Sequence, residues 1–287
     1  TPGTVKLMAE LHARYGNQNW ARLLKPAQTA AEQGFAVSPR LAGAIAKDQK
    51  RLSRYPDTQA YFFTSDGKPL AEGSLLKNPD YAQTLATLAK EGSAAFYHGQ
   101  IGQDIVNRVN NIPDNPGLLT RQDLANYQIK ERSVTCAPYR QYDICGMGPP
   151  SSGALTVGQI LGISSHFDLK TMGADNPQSW QIIGDASRLA FADRGRYMAD
   201  TDYVPMPEGL LDANYLAERA KLITPGQALE KASAGEPRWE KAVAQADDES
   251  IELPSTTHLV IVDKAGNIVS MTSTIENGFG SRVMSNG

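Results

Sequence analysis

The feature that most limits what this chain can fold into is a change of residue period near its C-terminal end. Up to Ile223 apolar residues recur mostly at helical spacing, interrupted by one short hairpin pattern. From Pro254 to Ser281 the chain reads PSTTHLVIVDKAGNIVSMTSTIENGFGS, rich in β-branched residues with a period of two. His258 to Val262 and Asn267 to Thr274 read as strands around Asp263-Lys264-Ala265-Gly266-Asn267. A three-residue loop Lys264-Ala265-Gly266 puts glycine in the left-handed position such a turn needs. That loop sets Thr256 opposite Thr274, and a slip of one residue would turn every side chain to the other face.

The helical part carries its own punctuation. Ser38 precedes Pro39 as an N-cap precedes the first helical residue, Asn78 does the same before Pro79, and Thr120 with Asp123 forms a capping-box variant. Gly16, Gly34 and Gly92 stand where helices end. PQSWQIIGDASRLAFADRGRYMAD predicts a long amphipathic helix with Trp180, Ile183, Ala186, Leu189, Ala190 and Tyr197 as its apolar stripe. Ser151 and Ser152 read as the N-cap of the helix before it, and Asp193-Arg194 as an ion pair on the long helix. Residues 224–254, with Asp247-Asp248-Glu249, read as an exposed polar linker. A chain of 287 residues that is 41% hydrophobic can bury a core, in one large domain or two small ones.

A net charge of -3 gives no basic face for nucleic acid or an anionic membrane. No apolar run approaches the roughly 20 residues of a membrane helix. The opening TPGTVKLMAEL lacks an initiator Met and a signal-peptide pattern, so it reads as the start of a processed or trimmed chain. Cys136 and Cys145 face each other if Arg140-Gln141 is a two-residue turn in SVTCAPYRQYDICGM. They are then either a disulfide or two buried thiols, and the disulfide would mean an oxidising compartment, periplasmic or secreted. His12, His98 and His166 are scattered, no metal-ligand spacing occurs, and no cofactor motif is present.

The hydroxyls of the hairpin admit two readings. Threonine suits strands, and facing hydroxyls often satisfy each other. Alternatively, cleavage between Ser255 and Thr256 would give Thr256 a free α-amine beside its own hydroxyl. With a pKa near ~7.7–8.0, that amine is partly neutral and can take the hydroxyl proton. Thr274 opposite could then hold the nucleophile's rotamer. Thr256 could make the cut itself through an N-to-O acyl shift. His258 shares the face of Thr256, but with the amine as base it reads as structural.

TTHLVIVDKAGNIVSMTSTIENGFGS resembles the start of the small subunit in the γ-glutamyltranspeptidase family, which are N-terminal-nucleophile (Ntn) hydrolases. MGPPSSGALTVGQIL, DASRLAFADRGRYMADTDYV, GSAAFYHGQIGQDIV, LLTRQDLANY and TPGTV resemble other stretches of that family, in family order. The resemblance implies an α+β fold, part of an αββα sandwich, mostly helical here with a closing hairpin. It implies that residues 1–255 belong to the large subunit and 256–287 begin the small one, with self-cleavage between Ser255 and Thr256. Thr256 would attack a γ-glutamyl amide such as glutathione and pass the acyl group to water or an amine, with Thr274 in support and no cofactor. Glu276 matches a substrate-contacting position where many members carry Asn. A carboxylate there suits the donor's ammonium, or marks a cephalosporin- or glutaryl-acylase-like relative.

The resemblance also places the family's carboxylate-binding arginine before TPGTV, and the oxyanion glycines and remaining substrate contacts beyond Gly287. Without oxyanion donors, acyl transfer forfeits about 3–4 kcal/mol of transition-state stabilisation. The segment alone is therefore expected to be inactive and to work with other segments of the same enzyme. A helical module that only binds or scaffolds is the non-enzymatic alternative.

Overall fold

The computed structural model describes residues 1–240, 243–244, 246–248 and 255–287. They form two compact units, one of Thr1–Ile129 with Glu252–Gly287 and one of Lys130–Ile251.

The first unit begins with helices α1 (Thr4–Tyr15) and α2 (Trp20–Gln33), strand β1 (Phe35–Ala36), then α3 (Pro39–Lys47), α4 (Gln49–Leu52) and α5 (Pro56–Phe62). Strand β2 (Leu75–Leu76), which pairs with β1, leads to α6 (Pro79–Glu91), α7 (Ala94–Tyr97), α8 (Gln100–Asn110) and α9 (Arg121–Ala125). The caps fall where the side chains demand. Ser38 Oγ accepts from Leu41 N at 3.1 Å, Asn78 Oδ1 accepts from Tyr81 N at 2.9 Å, and Thr120 and Asp123 form the reciprocal box. Gly34 and Gly92 close α2 and α6 at φ of 89° and 70°, angles that cost glycine little. Ile45, Leu52 and Phe63 form a core with Leu41, Phe62, Leu70 and Phe279. Phe279 meets Phe62 edge-on with ring centroids 5.1 Å apart, so the segment after the last strand is fastened to α3–α5.

The second unit opens with strands β3 (Val134–Tyr139) and β4 (Tyr142–Met147). Cys136 faces Cys145 in their register, and the two form a disulfide with Cα atoms 4.1 Å apart. Helices α10 (Gly153–Ser164), α11 (Leu169–Met172), α12 (Pro177–Tyr197) and α13 (Ala213–Ala220) follow, with a 3-10 turn at Glu208–Leu211. The core joins Ile163, Ile182, Ala186, Leu189, Leu216, Ala220 and Ile223.

Three expectations for this unit are corrected. The buried face of α12 contains Ile182, not Ile183, and Trp180 is 63% exposed. The face is rotated because Asp185 and Asp193 lie on it, buried through hydrogen bonds. Asp193 does not pair with Arg194. Its carboxylate accepts from Gln159 Nε2 (2.9 Å), Tyr215 OH (2.7 Å), Arg219 Nη2 (3.1 Å) and Gly235 N (2.8 Å). Adjacent helical residues point about 100° apart and cannot meet. Arg194 Nε instead donates to Ser152 Oγ at 3.0 Å. Ser152 stands at the start of α10 with helical dihedrals and makes no side-chain cap.

Between Thr224 and Asp248 the described residues form no helix or strand and run along α12. Leu229 N donates to Asp185 Oδ2 at 3.0 Å, Tyr197 OH donates to Gly235 O at 2.7 Å, and Asp248 N donates to Gly195 O at 2.8 Å. Arg196 pairs with Asp247 at 3.1 Å. This part of the expected linker is a strap laid on the helix. Residues 241, 242, 245 and 249–254 of it, including Glu249, lie outside the described residues.

The chain then returns to the first unit as β5 (Thr256–Val262) and β6 (Ile268–Thr274), an antiparallel pair. Asp263 builds the turn: its Oδ1 accepts from Ala265 N (2.8 Å) and Asn267 N (2.9 Å), and its Oδ2 from Asn267 Nδ2 (2.8 Å). Those bonds, led by the Asn267 side chain, hold the Asp263 carboxyl below its ordinary pKa. Gly266 takes a φ of 84°. Both hairpin faces carry exposed apolar residues, such as Val260 and Ile261, a pattern seen in strands covered on both sides.

Candidate active site

The turn chemistry dictates the register Thr256↔Thr274, and with it a row of polar side chains on one hairpin face. Thr256 Oγ1 donates to Thr274 Oγ1 at 3.2 Å. One step further, His258 Nδ1 lies 2.8 Å from Thr272 Oγ1, and Ser270 Oγ lies 3.3 Å from His258 Nε2. Both ring nitrogens of His258 are thus engaged away from Thr256.

Thr274 Oγ1 also accepts from Glu276 N at 3.1 Å. Glu276 follows the strand with a φ of 72°, a left-handed conformation uncommon for a non-glycine residue. Its carbonyl accepts a hydrogen bond from Ser255 Oγ. The residues on either side of the Ser255–Thr256 bond are thereby both tied to the end of β6. Ser255, Thr256, Thr274 and Glu276, scattered over 22 positions of sequence, come together at one end of the hairpin.

That end opens onto a cleft of about 490 Å³. Its walls include Ser38, Arg40 and Leu41 of the α3 start, Ser255 and Thr256, and Phe279. The α3 wall, and Arg40 in particular, was not visible to sequence reasoning, because nothing local links residue 40 to residue 256. Among the described residues no group of three His, Cys, Asp or Glu side chains is placed to hold a metal ion, and no helix is long and apolar enough to cross a membrane.

A threonine hydroxyl at the first residue of a strand, beside the peptide bond whose cleavage would give it an amine, is an arrangement suited to an N-terminal-nucleophile hydrolase. The comparisons agree with that class and narrow it. A profile of the gamma-glutamyltranspeptidase family matches residues 1–287, and the chain belongs to that family. It is 34% identical over 290 residues to the glutathione hydrolase proenzyme of Bacillus subtilis, covering 99% of this chain and 48% of that protein. It is 36% identical over 283 residues to the acylase ACY 1 proenzyme of a Pseudomonas species, covering 98% and 48%. The chain thus spans about half the length of these curated relatives. Among solved structures, it resembles the gamma-glutamyltranspeptidase of Helicobacter pylori with a TM-score of 0.76 and 33% identity, over 82% of this chain and 67% of that one. It resembles the cephalosporin acylase of Bacillus halodurans with a TM-score of 0.82 and 27% identity, over 99% and 49%. The fold is of this Ntn-hydrolase type, α+β and rich in helix.

Proposed function

We propose that the full-length protein carries out γ-glutamyl acyl transfer or hydrolysis, on glutathione and related amides, through Thr256. Cleavage between Ser255 and Thr256 unmasks the α-amine, which takes the hydroxyl proton as Oγ1 attacks the donor's carbonyl carbon. The amine of the donor leaves with that proton, and water or an acceptor amine resolves the ester. Thr274 holds the Oγ1 rotamer, and Glu276 faces the donor's ammonium. The observation that carries this reading is the Thr256–Thr274 hydroxyl contact beside a bond whose Ser255 side is tied to Glu276. Processing divides residues 1–255 from 256–287 into subunits that stay together with the rest of the enzyme. The Cys136–Cys145 disulfide supports a periplasmic or secreted location.

A second reading has a specific motive. Glu276 stands where the family often carries Asn, and acylases are among the similar proteins. In that reading the acyl group is glutaryl or another chain without an ammonium. Release of nitroaniline from γ-glutamyl- and glutaryl-4-nitroanilide by the full-length protein separates the two. The first reading predicts faster release from the γ-glutamyl donor and none from a Thr256→Ala variant. Preference for glutaryl selects the acylase, and equal release by Thr256→Ala contradicts both.

A further inference from the structure

The loop after β6 is held in a shape that its residues do not favour. Glu276, Gly280 and Arg282 take φ of 72°, 53° and 60°, all left-handed. Two of the three are not glycine, and such residues persist only where their surroundings over-determine the backbone. Within the loop, Asn277 N donates to Ile275 O at 2.9 Å, Gly280 N to Asn277 O at 2.8 Å and Arg282 N to Phe279 O at 2.9 Å. These bonds fold the loop onto itself and do not attach it to the helices. The Arg282 side chain, 11% exposed, does both. Its Nη1 donates to Gly280 O and its Nη2 to Asn277 Oδ1, each at 2.8 Å, while Nε donates to Asp48 Oδ2 at 2.7 Å. One planar fork grips the loop at two points and fixes both to a carboxylate at the junction of α3 and α4.

The loop presents the peptide groups of Glu276 to the bond before Thr256. Glu276 N donates to Thr274 Oγ1 at 3.1 Å, the oxygen to which Thr256 Oγ1 also donates, and Glu276 O accepts from Ser255 Oγ. Both sides of the Ser255–Thr256 bond are thus registered against one residue, next in sequence to Asn277. In the N-to-O shift, Thr256 Oγ1 joins the Ser255 carbonyl carbon, the C–N bond breaks, and the hydroxyl proton passes to the nitrogen that becomes the α-amine. Water then cleaves the ester, giving the Ser255 carboxylic acid and returning a proton to Oγ1. Oγ1 must meet the carbonyl carbon at a set distance and angle, and a displacement of about 1 Å can slow such a step about 10²-fold.

We infer that Arg282 is a positioning residue for self-cleavage. Through Asn277 and Gly280 it sets the Glu276 peptide groups that hold Ser255 and Thr274, and so the reach of Thr256 Oγ1 to the Ser255 carbonyl carbon. The inference rests on the acyl-transfer reading. Neither the strand pattern nor the family resemblance gave residue 282 a role.

The test uses the full-length protein and its Arg282→Lys, Arg282→Ala and Asp48→Ala variants, made by cell-free translation so that uncut chain is present at the start. Cleavage before Thr256 is followed on a gel, at a temperature well below every unfolding midpoint, and the midpoints are measured beside it on Thr256→Ala backgrounds that stay uncut. Arg282→Lys keeps a cation beside Asp48 but loses the fork. It should keep the midpoint close to that of the unmodified protein and slow cleavage about tenfold, the cost of a misplaced reacting atom. Arg282→Ala should slow cleavage further, and more than Asp48→Ala does, although Asp48→Ala is the less stable of the two. Cleavage at the original rate in both Arg282 variants overturns the inference. Rates that follow the midpoints, with Asp48→Ala the slowest, also overturn it, since that marks a residue needed only for folding. No cleavage in the unmodified protein overturns the acyl-transfer reading and this inference with it.

Discussion

Arg282 Nε donates to Asp48 Oδ2 at 2.7 Å, joining the loop after β6 to the end of α3 across 234 residues of sequence. Both side chains are nearly buried. Arg282 further donates to Gly280 O and Asn277 Oδ1, each at 2.8 Å, and its carbonyl accepts from Thr58 Oγ1 at 2.7 Å. The loop that carries Glu276 is therefore held by a charge that has little access to water. Removing one partner of a buried pair costs about 3–5 kcal/mol when the other is left alone. Asp48→Ala leaves Arg282 without a carboxylate, whereas Arg282→Ala leaves Asp48 its contact with Arg51. Asp48→Ala is therefore expected to lower stability by about 3 kcal/mol and Arg282→Ala by less, read as shifts in the thermal unfolding midpoint. The reverse order would contradict this account of the loop.

Tyr215 makes the second unit sensitive to alkali. Burial, and then its hydrogen bond to Asp193, raise its pKa well above the ordinary value of 10.0. The folded state thus favours the protonated phenol. The associated stability is fully present below about pH 10 and is lost as pH rises through the folded value. Tyr215→Phe should be less stable at neutral pH by about 1 kcal/mol, the worth of one hydrogen bond. It should also lose less stability between pH 9 and 11 than the unmodified protein. Parallel unfolding midpoints for the two proteins across that range would show that Tyr215 carries no part of the alkaline loss.

Thr274→Val keeps the shape of the side chain and removes its hydroxyl. Thr256 Oγ1 loses its partner across the strands, and Glu276 N loses an acceptor. At about 1–2 kcal/mol, cleavage before Thr256 should slow roughly 5–30-fold, followed on a gel over time. Cleavage at the original rate would remove Thr274 from the mechanism.

At position 276 the backbone limits which residues fit. Asn tolerates a φ of 72°, while a β-branched residue is strained there by about 1–3 kcal/mol. Under the γ-glutamyl reading, Glu276→Asn should keep the unfolding midpoint and lower the γ-glutamyl:glutaryl activity ratio, because it removes the charge proposed to meet the ammonium. Glu276→Val should lower the midpoint itself. A donor ratio unmoved by Glu276→Asn would separate Glu276 from donor recognition.

The sequence revealed these features unevenly, for a physical reason. Registers set by a few adjacent residues could be read directly. Asp263 and Gly266 specify the β5–β6 turn, and the two-residue turn at Arg140-Gln141 specifies the facing of Cys136 and Cys145. The caps at Ser38, Asn78 and Thr120 are equally local. Hydrophobic periodicity misplaced the buried face of α12 because that face includes Asp185 and Asp193, whose partners come from distant segments. The same limit hid the pairing of Arg282 with Asp48 and the cleft that the start of α3 and Thr256 line together. Helices α4, α5 and α11, and strands β1 and β2, are too short for any period to show.

The central claim is that Thr256 is a nucleophile unmasked by cleavage. The most direct test incubates the full-length protein at neutral pH, beside Thr256→Ala, and follows both by intact mass and N-terminal sequencing. The account predicts two fragments and a new N-terminus at Thr256 in the unmodified protein, with none in the variant. A chain that stays whole, or one cut equally in Thr256→Ala, would contradict it.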